Sequence, residues 1–285
     1  MSGSRKKLMI KIKKESFNQW LEKLNGKEII ISNEGIGDTI ICANFAKYFN
    51  KAVLRISNNK NNNIFCKDFC TLINVPYFYL SLEEKNNFNH PFIKQFQLHK
   101  YFGIQNNEKI LHQIYVQDHG FKKSTIKNKD IFICPNGSSV NKNKMIRSIT
   151  RNDLNLIIEK LCQKKFNIWL VGLEKDISEY GCYENCNWIN SNKIINNNFT
   201  QNINLSYFLN KVLNCNFAIT VATSFEHICG MLGVNTYVLH RLDGRNNPLI
   251  KTNDDYFNFF SNSKWYKTIE KKSINELIQS IVKLV

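Results

Sequence analysis

Proline is scarce in this chain, with 4 residues in 285, and glycine stops at 12. Such a composition suits regular elements joined by polar loops, and a hydrophobic fraction of 43% excludes a disordered chain. No apolar run reaches the length of a bilayer span, and the basic start, residues 1–14, has no hydrophobic signal core. A cytoplasmic protein is therefore expected. Peripheral contact with a membrane is left open by Phe17, Trp20, Leu21 and Leu24, which fall on one face of a helix after that basic start. Acidic residues are few: 23 Asp and Glu face 39 Lys and Arg, a formal net charge of +16. That field favours an anionic partner and does not choose among nucleic acid, an acidic membrane and a phosphorylated substrate. The nine cysteines are odd in number and scattered through apolar runs (Cys42, Cys134, Cys162, Cys215, Cys229), the pattern of reduced, buried thiols. Two C-x3-C pairs, Cys66/Cys70 and Cys182/Cys186, are looser than a zinc knuckle, and no other ligand cluster joins them, so no metal is expected.

What the chain does have is strand alternating with helix, most clearly over residues 217–240. Phe217–Val221 is an apolar, β-branched run of strand length. Thr223 with Glu226 three residues on reads as a capping box at a helix start. His227, Ile228, Met231 and Leu232 then recur at helical spacing, Gly233 ends the helix, and residues 235–240 give the next strand. Ligands of such units sit at the carboxyl ends of the strands, where amides at a helix start face an anion. Upstream, a strand over 130–134 runs into Pro135-Asn136-Gly137-Ser138-Ser139, small and hydroxyl residues suited to phosphate oxygens, followed by Lys142, Lys144 and Arg147. Thr150 with Asp153 caps a helix over 154–164, and the strand over 167–171 ends at Gly172. Residues 173–176 read as a loop, followed by a polar, Asn-rich section to 199; 205–214 reads as a helix, and 273–285 as a closing helix.

In the first half a strand over 28–32 enters Asn33-Glu34-Gly35-Ile36-Gly37-Asp38-Thr39 and a helix over 40–49. Gly35 and Gly37 allow a tight turn, but the third glycine of a dinucleotide fingerprint and the G-K-[ST] of a Walker loop are both missing. Asp38 reads plainly as a helix cap. An acid also repels phosphate at a helix start, which argues for another task there, such as taking a proton from a substrate hydroxyl. Strands over 52–56 and 76–82 and a helix over 92–102 follow. The composition shift at 127–130 divides the chain into 1–128 and 129–285. The expected fold class is α/β, with two Rossmann-like domains facing a central cleft that holds the ligand.

Three blocks, in order, resemble glycosyltransferase family 9, the bacterial lipopolysaccharide heptosyltransferases. Gly37-Asp38-Thr39 resembles the start of that family. IFICPNGSS with Arg147 and Thr150 is similar to its strand–PGAS–K-x-W-P region. ITVATSFEHICGMLGV is similar to its strand–D-[ST]-G-x-x-H-[LI]-A-A-A-L-G block, with the spacing from His227 to Gly233 kept. The resemblance implies the GT-B fold, a nucleotide-sugar donor held mainly by the C-terminal domain, and neither cofactor nor metal. By position it implies Asp38 as general base, in a turn with Gly35, Gly37 and Thr39 on the acceptor side. Arg147 falls where the family places a Lys that neutralises the donor diphosphate. Thr223 and Ser224 would hold phosphate with His227 in the same block, Ser138 and Ser139 would line the diphosphate, and Gly172 belongs to the same donor side. Three departures bear on the donor sugar, ADP-heptose in the family: Ala222 replaces an Asp, Ser224-Phe225 replaces Gly-Pro, and Ile149 replaces Trp. No D-x-D of a metal-dependent transferase is present; Asp254-Asp255 lacks that spacing.

The simplest acceptor is a lipooligosaccharide or surface-glycan hydroxyl, which places the enzyme at the inner membrane surface. Two other readings stand beside it. A bacteriophage DNA glycosyltransferase acting on hydroxylated bases in the host cytoplasm suits the charge of +16. A non-catalytic nucleic-acid-binding α/β protein suits Ala222, although no nucleic-acid motif is present.

Overall fold

Short strands, most of them apolar and several followed by a turn and a helix, pair into two separate sheets. The computed structural model describes residues 16–32, 35–58, 62–85, 91–94, 121, 123–124, 128–137, 148–221, 223–240, 266–270 and 279. The chain divides into two compact units, Met1–Asn106 and Asn107–Val285. The closing helix expected over 273–285 lies, apart from helical Gln279, outside the described residues.

The first unit contains α1 (residues 16–23), β1 (Ile29–Ser32), α2 (Ile36–Tyr48), β2 (Ala52–Ile56), α3 (Asn63–Leu72), β3 (Tyr77–Leu80), α4 (Leu82–Lys85) and β4 (Phe92–Lys94). Its sheet runs β3-β2-β1-β4, all parallel. Side chains alternate across it. Ile29, Leu54 and Leu80 pack with Phe17 and Leu24, so the apolar stripe of α1 lies on the protein's own sheet. On the other face the register aligns Ser32, Arg55 and Tyr79. There Tyr77 Oη donates to Asn63 Oδ1 of α3 (2.7 Å), and fully buried Arg55 donates to Ser57 Oγ (3.2 Å). The strand Phe92–Lys94 corrects the start of the helix expected over 92–102, whose remainder lies outside the described residues. Phe92, Ile93 and Lys94 pair with Ile29, Ile30 and Ile31, satisfying backbone groups on the open edge of β1 that a helix would leave bare.

The second unit contains β5 (Asp130–Cys134), α5 (Arg151–Gln163), β6 (Asn167–Val171), α6 (Glu174–Tyr180), β7 (Cys186–Ile189), β8 (Lys193–Ile195), β9 (Thr200–Asn202), α7 (Leu205–Leu213), β10 (Phe217–Val221), α8 (Ser224–Leu232), β11 (Thr236–His240) and β12 (Tyr266–Glu270). The sheet order is β12-β11-β10-β5-β6-β7-β8-β9. It is parallel from β12 to β7, and β8 and β9 add antiparallel at the edge. The helix ends follow the sequence closely. Thr150 Oγ1 accepts the Asp153 amide (3.2 Å), Asn204 Oδ1 accepts the Tyr207 amide (2.8 Å), and Gly233 closes α8 in the left-handed region at φ 64°.

The stretch expected to be a loop and the Asn-rich section after it are both ordered by polar side chains. Residues 173–176 are not a loop. Asp176 Oδ2 accepts the Leu173 amide at 2.7 Å and so caps α6, which starts at Glu174. The Asn-rich section folds into β7–β8–β9. Asn190 Oδ1 accepts the amides of Asn192 and Lys193 (3.0 and 2.9 Å), and Asn196 Oδ1 those of Asn198 and Phe199 (2.8 and 2.9 Å). Each asparagine thus makes the local turn that its side chain favours.

Asp130, 6% exposed at the start of β5, accepts from Asn128, Asn167 and Lys211, each at 3.1 Å. Burial pushes its carboxyl up, but the hydrogen bonds from Lys211 and Asn167 and the Lys211 charge outweigh burial and hold it below the ordinary range. A depressed folded pKa stabilises above the unfolded value of about 3.9 and is lost as pH falls through the folded one. Lys211→Met is therefore expected to cost about 1–3 kcal/mol at pH 7. Urea melts at pH 3 should show a smaller difference from wild type, and an equal loss at both pH values would contradict the assignment.

Candidate functional site

In the second unit the chain leaves β5 toward β6 and β7 on one side and returns on the other side as β10, β11 and β12. The carboxyl ends of β5 and β10 therefore flank a topological switch point, where open α/β sheets bind ligands. Thr223 stands there in extended conformation as the N-cap of α8, its Oγ1 accepting the Phe225 amide at 3.1 Å. The same hydroxyl lies 3.4 Å from Thr220 Oγ1 and 3.8 Å from Cys134 Sγ, which ties the end of β5 to the start of the helix. First-turn amides and the helix dipole favour an anion at this edge. Half-buried Ser224 opens the helix, and His227 is half-buried one turn in. Glu226 is 2% exposed beside them. Burial pushes the Cys134 thiol up to about 12, with the Thr223 hydrogen bond working against it, so this sulfur remains a neutral thiol at neutral pH.

Ser138, Ser139, Arg147 and Ala222 lie outside the described residues. The chain on either side of 138–147 is pinned. Asn136 and Ser148 form an antiparallel bridge, the Ile149 amide donates to Pro135 O (2.7 Å), and Tyr180 Oη donates to Ile149 O (2.8 Å). Ile149 itself is a core residue at 1% exposure. Gly172 follows β6, and the position requires glycine for a steric reason. A Cβ there would stand 2.7 Å from Trp188 Cζ3 and 3.0 Å from Asp176 Cβ. Asp176, 6% exposed, is the residue that sequence reasoning missed, and its Oδ1 accepts from Asn136 Nδ2 at 2.8 Å. Its signal in the sequence is an acid three residues beyond Leu173, the position from which a carboxylate can cap a helix start.

In the first unit β1 has β2 and β3 on one side and β4 on the other, a second switch point. Beyond its carboxyl end Gly35 is the N-cap of α2. Glycine brings no capping side chain, so the cap is one-sided, with the Gly35 amide donating to Asp38 Oδ2 at 3.2 Å. Asp38 is thus held, half-buried, in the first turn of α2, with Gly37 beside it. Thr39 is fully buried. Its hydroxyl lies 2.8 Å from Ser32 Oγ and donates to Gly35 O (3.2 Å), so it braces the turn from beneath rather than facing solvent. Cys42, Cys66 and Cys70 behind it are buried, and burial raises all three thiols. Among the described residues no three His, Cys, Asp or Glu side chains gather as a metal would require.

Two βα switch points, one with a carboxylate and one with a capped helix start, describe a known architecture. The chain is similar to the E. coli ADP-heptose LPS heptosyltransferase II, with a TM-score of 0.52 at 9% identity, covering 90% of this chain and 98% of that one. The chain has the heptosyltransferase fold. A second likeness is to the E. coli heptosyltransferase WaaC with ADP-2-deoxy-2-fluoro heptose, at a TM-score of 0.50 and 8% identity, covering 91% and 100%. At such identities the likeness concerns architecture, which is GT-B, with two Rossmann-like units. No protein-family model matches the chain, and no curated protein matches it.

Proposed function

We propose that the chain is a glycosyltransferase that moves a sugar from a nucleotide-diphosphate donor to a hydroxyl of an anionic acceptor. The observation that carries this reading is a half-buried carboxylate, Asp38, held by a backbone amide in the first turn after β1 of a heptosyltransferase fold. Asp38 takes the proton of the acceptor hydroxyl as its oxygen attacks the anomeric carbon. The bond from that carbon to the diphosphate breaks, and the nucleoside diphosphate leaves with the electron pair. The leaving charge is met by the start of α8 at Thr223 and Ser224, by His227, and by Ser138, Ser139 and Arg147, without a metal. Amides and hydroxyls preorganised at a helix start stabilise such charge without reorganising during the reaction.

Charge and the neighbour's substrate class support a choice of acceptor. A surplus of +16 favours an anionic acceptor, and the first neighbour named above is an LPS heptosyltransferase. A phosphorylated glycolipid at the cytoplasmic membrane face meets both conditions. No helix among the described residues is long and apolar enough to cross a membrane. The test is transfer from labelled nucleotide-sugars to lipooligosaccharide and to DNA carrying hydroxymethylated bases. Label in the glycolipid is expected. Label in DNA, with binding that weakens steeply as salt rises, would instead support the DNA-modifying reading. Label in neither would count against a transferase.

Gly35 offers a sharper check. Its φ of −79° and ψ of 149° suit any residue, but a Cβ would stand 2.8 Å from Asp38 Oδ2. The carboxylate can swing away at little cost to the fold and lose its geometry. Gly35→Ala is expected to change stability by less than about 1 kcal/mol. The same change should lower turnover by about a hundredfold, because a displacement of about 1 Å is that costly to a reacting group. Unchanged turnover would remove Asp38 from the mechanism.

A further inference from the structure

The side-chain amide of Asn136 is locked in one orientation and presents an oxygen that the described fold does not use. Asn136 lies two residues beyond β5, at the edge where β5 and β10 flank the switch point. Its Nδ2 donates to Asp176 Oδ1 at 2.8 Å, while Asp176 Oδ2 accepts the Leu173 amide at 2.7 Å. Asp176 Oδ1 meets the amide nitrogen of Asn136, so the amide oxygen, Oδ1, faces the other way. It is buried and has no hydrogen-bond donor among the described residues. Buried polar atoms are nearly always paired, and an exception in a ligand-binding region has the character of an acceptor awaiting its donor.

We propose that Asn136 Oδ1 accepts a hydrogen bond from a hydroxyl of the bound nucleotide-sugar, and that Asp176 is the positioning residue that aims it. This rests on the glycosyltransferase reading and adds a specificity determinant to it. The chemistry selects the part of the ligand. An ionised diphosphate has no proton to donate, so the oxygen is assigned to a hydroxyl of the ribose or of the transferred sugar, and a loss that follows the base rather than either hydroxyl would overturn that assignment. Removing Asn136 should therefore weaken recognition of one hydroxyl and leave the contribution of the diphosphate in place.

The experiment is isothermal titration of the full chain with ADP, GDP, UDP and CDP, with the 2′-deoxy and 3′-deoxy forms of whichever binds, and with the matching nucleotide-sugar and its deoxyfluoro sugar analogues. Wild type should lose about tenfold in Kd when the recognised hydroxyl is removed. Asn136→Ala should lose about tenfold on the intact ligand and nothing further on the deoxy form. A loss already present with the free diphosphate assigns the hydroxyl to ribose, and a loss confined to the nucleotide-sugar assigns it to the transferred sugar. If Asn136→Ala does not fold, Asp176→Asn leaves Asn136 in place, frees its amide, and should abolish the same discrimination. Wild-type discrimination in the folded variant would overturn the assignment of Asn136 while leaving the glycosyltransferase reading intact. No binding of any nucleotide or nucleotide-sugar by wild type would overturn both.

Discussion

Asp38→Asn is expected to lower turnover by about a hundredfold or more while leaving the Kd for the nucleotide-sugar nearly unchanged. The substitution keeps the shape of the side chain, and its amide oxygen can still accept the Gly35 N–H that Asp38 Oδ2 accepts at 3.2 Å. What it removes is the ability to hold a proton. Helix capping and proton acceptance are thus separated in one variant: the melting temperature reports the first and kcat the second. Asp38→Ala removes both and should also cost about 0.5–2 kcal/mol through the lost cap. An Asp38→Asn variant that turns over like wild type would mean that the carboxylate is a cap and nothing more.

Trp188→Ala is expected to have the largest effect on stability, about 3–5 kcal/mol. Trp188 on β7 is 1% exposed in the core cluster of the second unit, and its Nε1 donates to Gly181 O at 3.1 Å. It also sets the demand for glycine at 172, since a Cβ there would meet its ring at 2.7 Å. The cavity would open beneath the β6–α6 junction that carries Asp176, so nucleotide binding should weaken along with the melting temperature. At about 2–4 °C per kcal/mol for a unit of this size, the fall in melting temperature should be roughly ten degrees. A drop of only a degree or two would show that the core collapses into the space.

The caps were legible because they rest on local chemistry. Thr223, Thr150 and Gly233 each do in the structure what their residue type does alone. The strands 52–56, 130–134, 167–171 and 217–221 were legible for a similar reason, since buried parallel strands are short apolar runs. Phe92 to Lys94 was not legible. Three residues are too few to show a period, and only the open edge of β1 makes them a strand. Asp176 carries the local signal of a helix cap, but its second contact, with Asn136 40 positions away, has no signal in the sequence. The family resemblance puts Thr39 with the acceptor-side residues, but adjacency to Asp38 says nothing about direction. One residue further along the helix turns the side chain into the core, where Ser32 meets it.

Thermal melts of wild type, Asp38→Asn and Thr223→Val against a panel of nucleotide-sugars test most directly whether a nucleoside diphosphate binds at the start of α8 while Asp38 acts on a different partner. A donor at about a hundredfold excess over its Kd should stabilise wild type and Asp38→Asn alike, by about 2.7 kcal/mol, and Thr223→Val distinctly less. No shift with any nucleotide-sugar, or a shift that disappears with Asp38 and survives in Thr223→Val, would contradict it.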